Sequence, residues 1–144
     1  MSIELSKECI VSVASNAVAA GVTPVNTAVY DMAGFDAISF ICKFNTVVDT
    51  SVLGLQAWEN STNSTSGATE VTNGTASFTA LTSSNNMLVV DVIRPKLRFV
   101  FATLTRTVAN ATVDSILALQ YRAKNIPVTL SANVLASQLS TPEA

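Results

Sequence analysis

Hydrophobic and polar residues alternate with a period of two along most of this chain. Between residues 36 and 45, Ile38, Phe40, Cys42 and Phe44 alternate with Ser39, Lys43 and Asn45. In an extended strand that spacing places the apolar set on one face and the polar set on the other. Only Ile41 breaks the polar face. Residues 53–59 repeat the pattern, with Leu55 and Ala57 set against Gln56 and Trp58. The Trp58 indole is therefore expected to point away from the Leu55 face, as a second-layer core residue or an exposed anchor. Runs rich in Val, Ile, Phe and Tyr predict further strands at residues 9–13, 25–32, 78–81, 87–93, 97–105 and 113–122. Asn85-Asn86 and Arg94-Pro95 supply turn chemistry between them.

The segment between residues 60 and 75 has a different character. Thirteen of its sixteen residues are Ser, Thr, Asn or Gly, too little apolar area to form core, which predicts a long surface loop. About eight short strands with no amphipathic helices between them argue against a parallel α/β architecture. The prediction is an all-β fold, an antiparallel β-sandwich of jelly-roll type, with one core spanning residues 9–127. Beyond Pro127, Leu130, Val134, Leu135 and Leu139 predict a short amphipathic turn. It would lie in a C-terminal arm, residues 128–144, that docks on a neighbour or frays.

Composition sharpens this picture. Hydrophobic residues make up 49% of the 144 and charged residues only 12%, against about 25% charged in a typical soluble domain. Ser, Thr and Asn solvate the surface instead, without the side-chain entropy that Lys and Glu lose when an interface orders them. A high apolar load with few charges predicts self-association, as a homotrimer. The formal net charge of −2 gives no general attraction for nucleic acid or acidic membranes. No apolar run approaches the roughly 18 residues of a membrane span. The amino-terminal stretch, with Glu4, Lys7 and Glu8, does not read as a signal peptide. Cys9 and Cys42 are expected as free thiols buried in the core.

Catalytic chemistry is hard to assemble from these residues. The chain has no histidine, which removes Ser/His/Asp and Cys/His nucleophilic arrangements and the easiest general base near neutrality. Asp31 with Asp36, or Asp91 with Asp114, could flank a glycosidic bond, but solvated turn carboxylates account for them as well. Five scattered glycines build no phosphate-cradling loop. The expectation is a non-enzyme with no cofactor and no metal. The sharpest charge feature is Arg94, Lys96 and Arg98, which strand spacing would put on one face opposite Leu97, Phe99 and Phe101. That stripe, with Trp58, is the expected partner interface, unless it is an ordinary solvated face. A sugar-binding sandwich with Trp58, Tyr30 and Tyr121 as a stacking platform is the reading from a different class, and the three are not at platform spacing.

Three stretches carry a likeness to a known group. They are YDMAGFDAISFICKF at residues 30–44, LGLQAWENSTNSTSGATEV at residues 53–71 and NMLVVDVIRPKLRFVFATL at residues 86–104. Taken in order over residues 25–127, they resemble small capsid decoration, or cement, proteins of tailed bacteriophages. The likeness lies in strands and turns and not in a catalytic signature. It implies an all-β fold, self-association as trimers, and attachment to the major capsid protein on the outer capsid surface of the virion, at junctions between coat subunits. No binding motif of that group carries over residue by residue. The plain Ser/Thr/Asn segment would equally suit a tail-tube, head-tail joining or fibre-base protein.

Overall fold

A computed structural model of the chain describes residues 4–79, 85–140 and 142. A short helix, α1 (Leu5–Glu8), precedes ten strands: β1 (Ile10–Ser15), β2 (Val18–Gly21), β3 (Val25–Asn26), β4 (Tyr30–Asp31), β5 (Phe35–Val47), β6 (Val52–Asn60), β7 (Thr69–Thr79), β8 (Met87–Ile93), β9 (Phe99–Thr107) and β10 (Ala111–Ala123). They form two antiparallel sheets. The first runs β1-β10-β5-β8, with β2 also on β10; the second runs β3-β9-β6-β7, with β4 also on β9. The chain is thus the antiparallel β-sandwich that its alternation predicts.

Burial follows the alternation residue by residue. Ile38, Phe40, Cys42 and Phe44 of β5 point inward against Leu53, Leu55 and Ala57 of β6, with Val100, Ala102 and Leu104 of β9 and Val113, Ile116 and Ala118 of β10 completing the layer. Each large side chain removed from water contributes about 1.5–3 kcal/mol. A one-residue slip of β5 along β10 would turn this set outward, so burial specifies the register.

The predicted strand over residues 25–32 is broken into β3 and β4. Thr27 sits in the gap: its N–H donates to the Ala102 carbonyl, its Oγ1 accepts from Ala102 N–H, and the next N–H, of Ala28, reaches Ala14 on the first sheet. The backbone leaves β9 there to tie the two layers together.

The loop predicted over residues 60–75 is only half a loop. Residues 61–68 connect the strands, and β7 begins at Thr69 as the antiparallel partner of β6. An edge strand with water on its outer side needs no apolar face, and Thr has good strand propensity, so a polar run can pair here. A bulge interrupts it: Asn73 has φ 58°, and a Cβ on Gly74 would lie 2.9 Å from the Val71 carbonyl oxygen. The predicted strand over residues 78–81 is the end of β7, and residues 80 and 81 lie outside the described ones.

The arm docks on its own domain. Val128 N–H donates to the Lys7 carbonyl (2.8 Å), Ser131 Oγ donates to the Val11 carbonyl (2.7 Å), and Val13 N–H donates to Asn133 Oδ1 (3.0 Å). These bonds cap the open edge of β1, which would otherwise template pairing with another strand. One turn forms, from Val134 N–H to the Ser131 carbonyl. It does not gather the predicted apolar set, because Leu130, Val134 and Leu139 line a pocket against Val11 while Leu135 is 97% exposed.

Candidate assembly surfaces

The stripe Arg94, Lys96, Arg98 is not on a strand. β8 stops at Ile93 and β9 starts at Phe99, so residues 94–98 are the connection between them. Pro95 has no N–H for a ladder, and Arg94 adopts φ 55° while its N–H donates to the Asp36 carbonyl (2.6 Å). The next two N–H groups, of Lys96 and Leu97, turn inward onto the buried Glu59 carboxylate at 2.8 and 3.3 Å. Exposure still alternates as predicted: Arg94, Lys96 and Arg98 are exposed, Pro95 and Leu97 half-buried. Glu59 is the residue that sequence reasoning missed, since a Glu ending a strand gives no hint that it caps a distant loop.

The loop walls a groove of about 450 Å³ at one end of the sandwich, lined by Arg94, Lys96, Arg98 and Lys124 with Phe35 and Leu97 among the apolar residues. Four of the chain's eight cations meet there. Arg98 forms a fork on Asp31, with Nε and Nη2 each 2.8 Å from a carboxylate oxygen, and lies over the Phe99 ring. That fork, reinforced by the Ala33 N–H, holds the Asp31 carboxyl below its usual range. Lys124 stands 3.9 Å from Asp36. Arg94 and Lys96 have no side-chain partner among the described residues. Four cations against Asp31, Asp36 and the Glu59 carboxylate behind the loop leave this end at +1; with a chain total of −2, the remainder of the molecule carries −3.

Trp58 is not brought to this groove. It lies on the outer face of the second sheet, stacked on its cross-strand neighbour Phe101 with centroids 6.3 Å apart and planes 7° from parallel. Phe101 is only 3% exposed beneath it, and the indole N–H is buried without a partner. Trp58 is therefore a second-layer packing residue. Tyr30 packs on Phe40 in the core, and Tyr121 lies on the outer face of the first sheet, where its hydroxyl donates to Asp91 (2.5 Å). The three aromatic residues share no face, so they form no stacking platform. The paired carboxylates have partners of their own: Asp31 has Arg98, Asp36 has Lys124, Asp91 has Tyr121 and Asp114 has Lys43.

Both cysteines are free and buried, as expected. Burial pushes the Cys42 thiol up to about 12, and burial followed by the neighbouring Glu8 raises Cys9. A second buried charged residue went unread in the sequence: Arg106 is 2% exposed, and its guanidinium donates to the carbonyls of Thr23 (2.9 Å), Ala19 (2.9 Å) and Ala111 (2.6 Å). It fastens the crossover between β2 and β3 to the start of β10.

The outer face of the first sheet is the larger surprise. Cross-strand register sets Val13 beside Leu117, Leu117 beside Ile41, and Ile41 beside Val89, an apolar row across all four strands. Met87, Val89 and Ile93 are about half exposed on it, and Val13 is 37% exposed. Its ionised side chains are few, Lys43 paired with Asp114 at 2.9 Å and Asp91 accepting from Tyr121. The signal was present in the sequence: Ile41 interrupts the polar face of β5, and the 87–93 run is apolar on both faces except at Asp91.

Among the described residues no cluster of three or more His, Cys, Asp or Glu side chains is placed to hold a metal ion, and no helix is long and apolar enough to cross a membrane. No protein-family model and no curated protein matches the chain.

Proposed function

We propose that this protein is a virion structural component, a decoration (cement) protein that binds the major capsid protein on the outer capsid surface at junctions between coat subunits. The observation that carries the proposal is the cationic groove. A chain of net charge −2 gathers half its cations at one end of the sandwich, where Arg94 and Lys96 have no side-chain ion-pair partner among the described residues. Such a charge division orients the molecule as it approaches an acidic surface and sets which end docks. The strand order supports the architecture this role needs. Two stacked antiparallel sheets, with β1 and β2 both on β10 and β3 and β4 both on β9, support a jelly-roll reading, a fold used by viral shell proteins among others.

The mechanism is mass action. Coat subunits separate against the clip only by losing its contacts, and a ligand that binds only the closed lattice stabilises it by RT ln(1 + [L]/Kd), about 2.7 kcal/mol at a free concentration one hundred times Kd. Low charge and few long side chains keep the ordering cost of such a contact small.

The test is occupancy on purified shells that lack the protein. Arg94→Glu with Lys96→Glu leaves the fold unchanged, since both side chains are exposed, and lowers occupancy at low salt by about tenfold or more. Parent binding weakens as the Debye length falls from about 10 Å toward 3 Å. Equal occupancy of parent and charge-reversed protein at low and moderate salt would overturn the groove's role. Electron cryomicroscopy density on the tail instead of the shell would overturn the capsid assignment.

A further inference from the structure

We infer that the cationic groove takes an extended acidic segment of a protein partner, with two carboxylates one residue apart. This rests on the groove as the docking site proposed above, and it adds what that site selects.

The spacing comes from the loop. Exposure alternates over residues 94–98, with Arg94, Lys96 and Arg98 outward and Pro95 and Leu97 half-buried. The three cations therefore stand two residues apart along one side, with neighbouring Cα atoms no more than about 7 Å apart. Only the first two are open. Arg98 is held in its fork by Asp31, while Arg94 and Lys96 have no side-chain ion-pair partner among the described residues. An extended segment repeats its side chains on one face at about 6.8 Å. Carboxylates at positions i and i+2 of such a segment thus meet Arg94 and Lys96 together. A third at i+4 falls opposite Arg98, whose charge Asp31 already offsets.

The loop's backbone leaves this recognition to side chains. The Arg94 N–H donates to the Asp36 carbonyl, those of Lys96 and Leu97 donate to Glu59, and Pro95 has none. No N–H of residues 94–97 remains for the carbonyls of an added strand. The same bonds shape the loop before a partner arrives, which lowers the ordering cost of binding.

A nucleic acid suits the groove less well. Each strand of a duplex carries about one charge per 3.4 Å, and Asp31 and Asp36 stand beside the open cations with Glu59 behind them. A continuous polyanion would lie against these carboxylates, whereas two charges set on Arg94 and Lys96 avoid them. Two exposed ion pairs make a weak contact, and repeated copies on a lattice would raise its effect.

NMR titration of the full chain at low salt with short capped peptides tests this. A Glu-x-Glu peptide is expected to shift the amides of residues 94–98 with a Kd of about 1 mM, at least about threefold tighter than Glu-Glu and Glu-x-x-Glu isomers of equal charge. Arg94→Gln and Lys96→Gln, both on exposed side chains, each weaken it about two- to fivefold and remove the preference for spacing. A third Glu at i+4 changes it by less than about twofold. Equal binding of the isomers, shifts centred outside the groove, or tighter binding of single-stranded DNA of similar length overturns the inference. Shell occupancy is a separate readout. If Arg94→Glu with Lys96→Glu abolishes occupancy while the peptides show no preference, the docking reading stands and this inference falls. A spacing preference with unchanged occupancy keeps the selectivity and removes the shell as its source.

Discussion

Arg106→Met tests how the sandwich holds its corner. The substitution keeps an unbranched side chain of similar length and removes the guanidinium that serves three carbonyls, those of Thr23, Ala19 and Ala111. Hydrogen bonds to a charged donor contribute about 1.5–3 kcal/mol each, or roughly 5–9 kcal/mol gross for three. Burying the cation works against them: no carboxylate among the described residues pairs with it, and the effective desolvation penalty of a buried ion is several kcal/mol. The net expected loss is about 2–4 kcal/mol, a substantial part of the roughly 7–20 kcal/mol that a chain of this length has in total. With an m-value of about 1–3 kcal/mol per molar urea, the midpoint falls by about 1–2 M at unchanged slope. Arg106→Lys keeps the charge but cannot reproduce a fork that reaches β2, the β2–β3 turn and β10 together, so it recovers less than half of the loss. The reasoning fails if the Met variant unfolds at the parent's urea midpoint, or if Lys restores stability in full, which would make the charge and not the geometry the stabilising element.

Two further predictions concern buried groups. Neither Cys9 nor Cys42 reacts with a thiol reagent in the native protein at mildly alkaline pH, while both react after denaturation; rapid native labelling would refute their burial. Burial raises Cys42 from 9.0 and Tyr30 from 10.0, each to about 12. Both groups are essentially protonated in either state below about pH 8, so their effect on stability is negligible there. Above it the unfolded chain ionises first, and stability falls toward pH 12 by up to about 1.4 kcal/mol per pH unit per group. A urea midpoint that is flat across that window contradicts the assignment. Trp58→Phe removes an unpartnered buried N–H while keeping a ring on Phe101, so it changes stability by less than about 1 kcal/mol, whereas Trp58→Ala costs about 3 kcal/mol or more in the same urea titration.

What could be read from the chain alone was what local alternation controls. β8 occupies residues 87–93 as predicted, and Ile38, Phe40, Cys42 and Phe44 all face inward, because a strand with period-two apolar residues has one way to bury them. The sandwich class follows from many such strands and no amphipathic helix. The conformation of residues 94–98 depended instead on Glu59, a residue more than thirty positions away whose carboxylate takes two N–H groups that a strand would have used. The polar run after Asn60 became strand β7 because β6 offered it an edge, which composition does not register. Arg106 and the Val13–Leu117–Ile41–Val89 row make the same point, since each combines residues from distant parts of the chain that only sheet pairing makes neighbours. Sequence by itself determined which face of each strand is apolar, because side chains alternate along any extended backbone. Tertiary structure decided which strands lie side by side, and so which cations gather in a groove and which outward apolar residues merge into a surface, because those contacts form between residues that no local periodicity links.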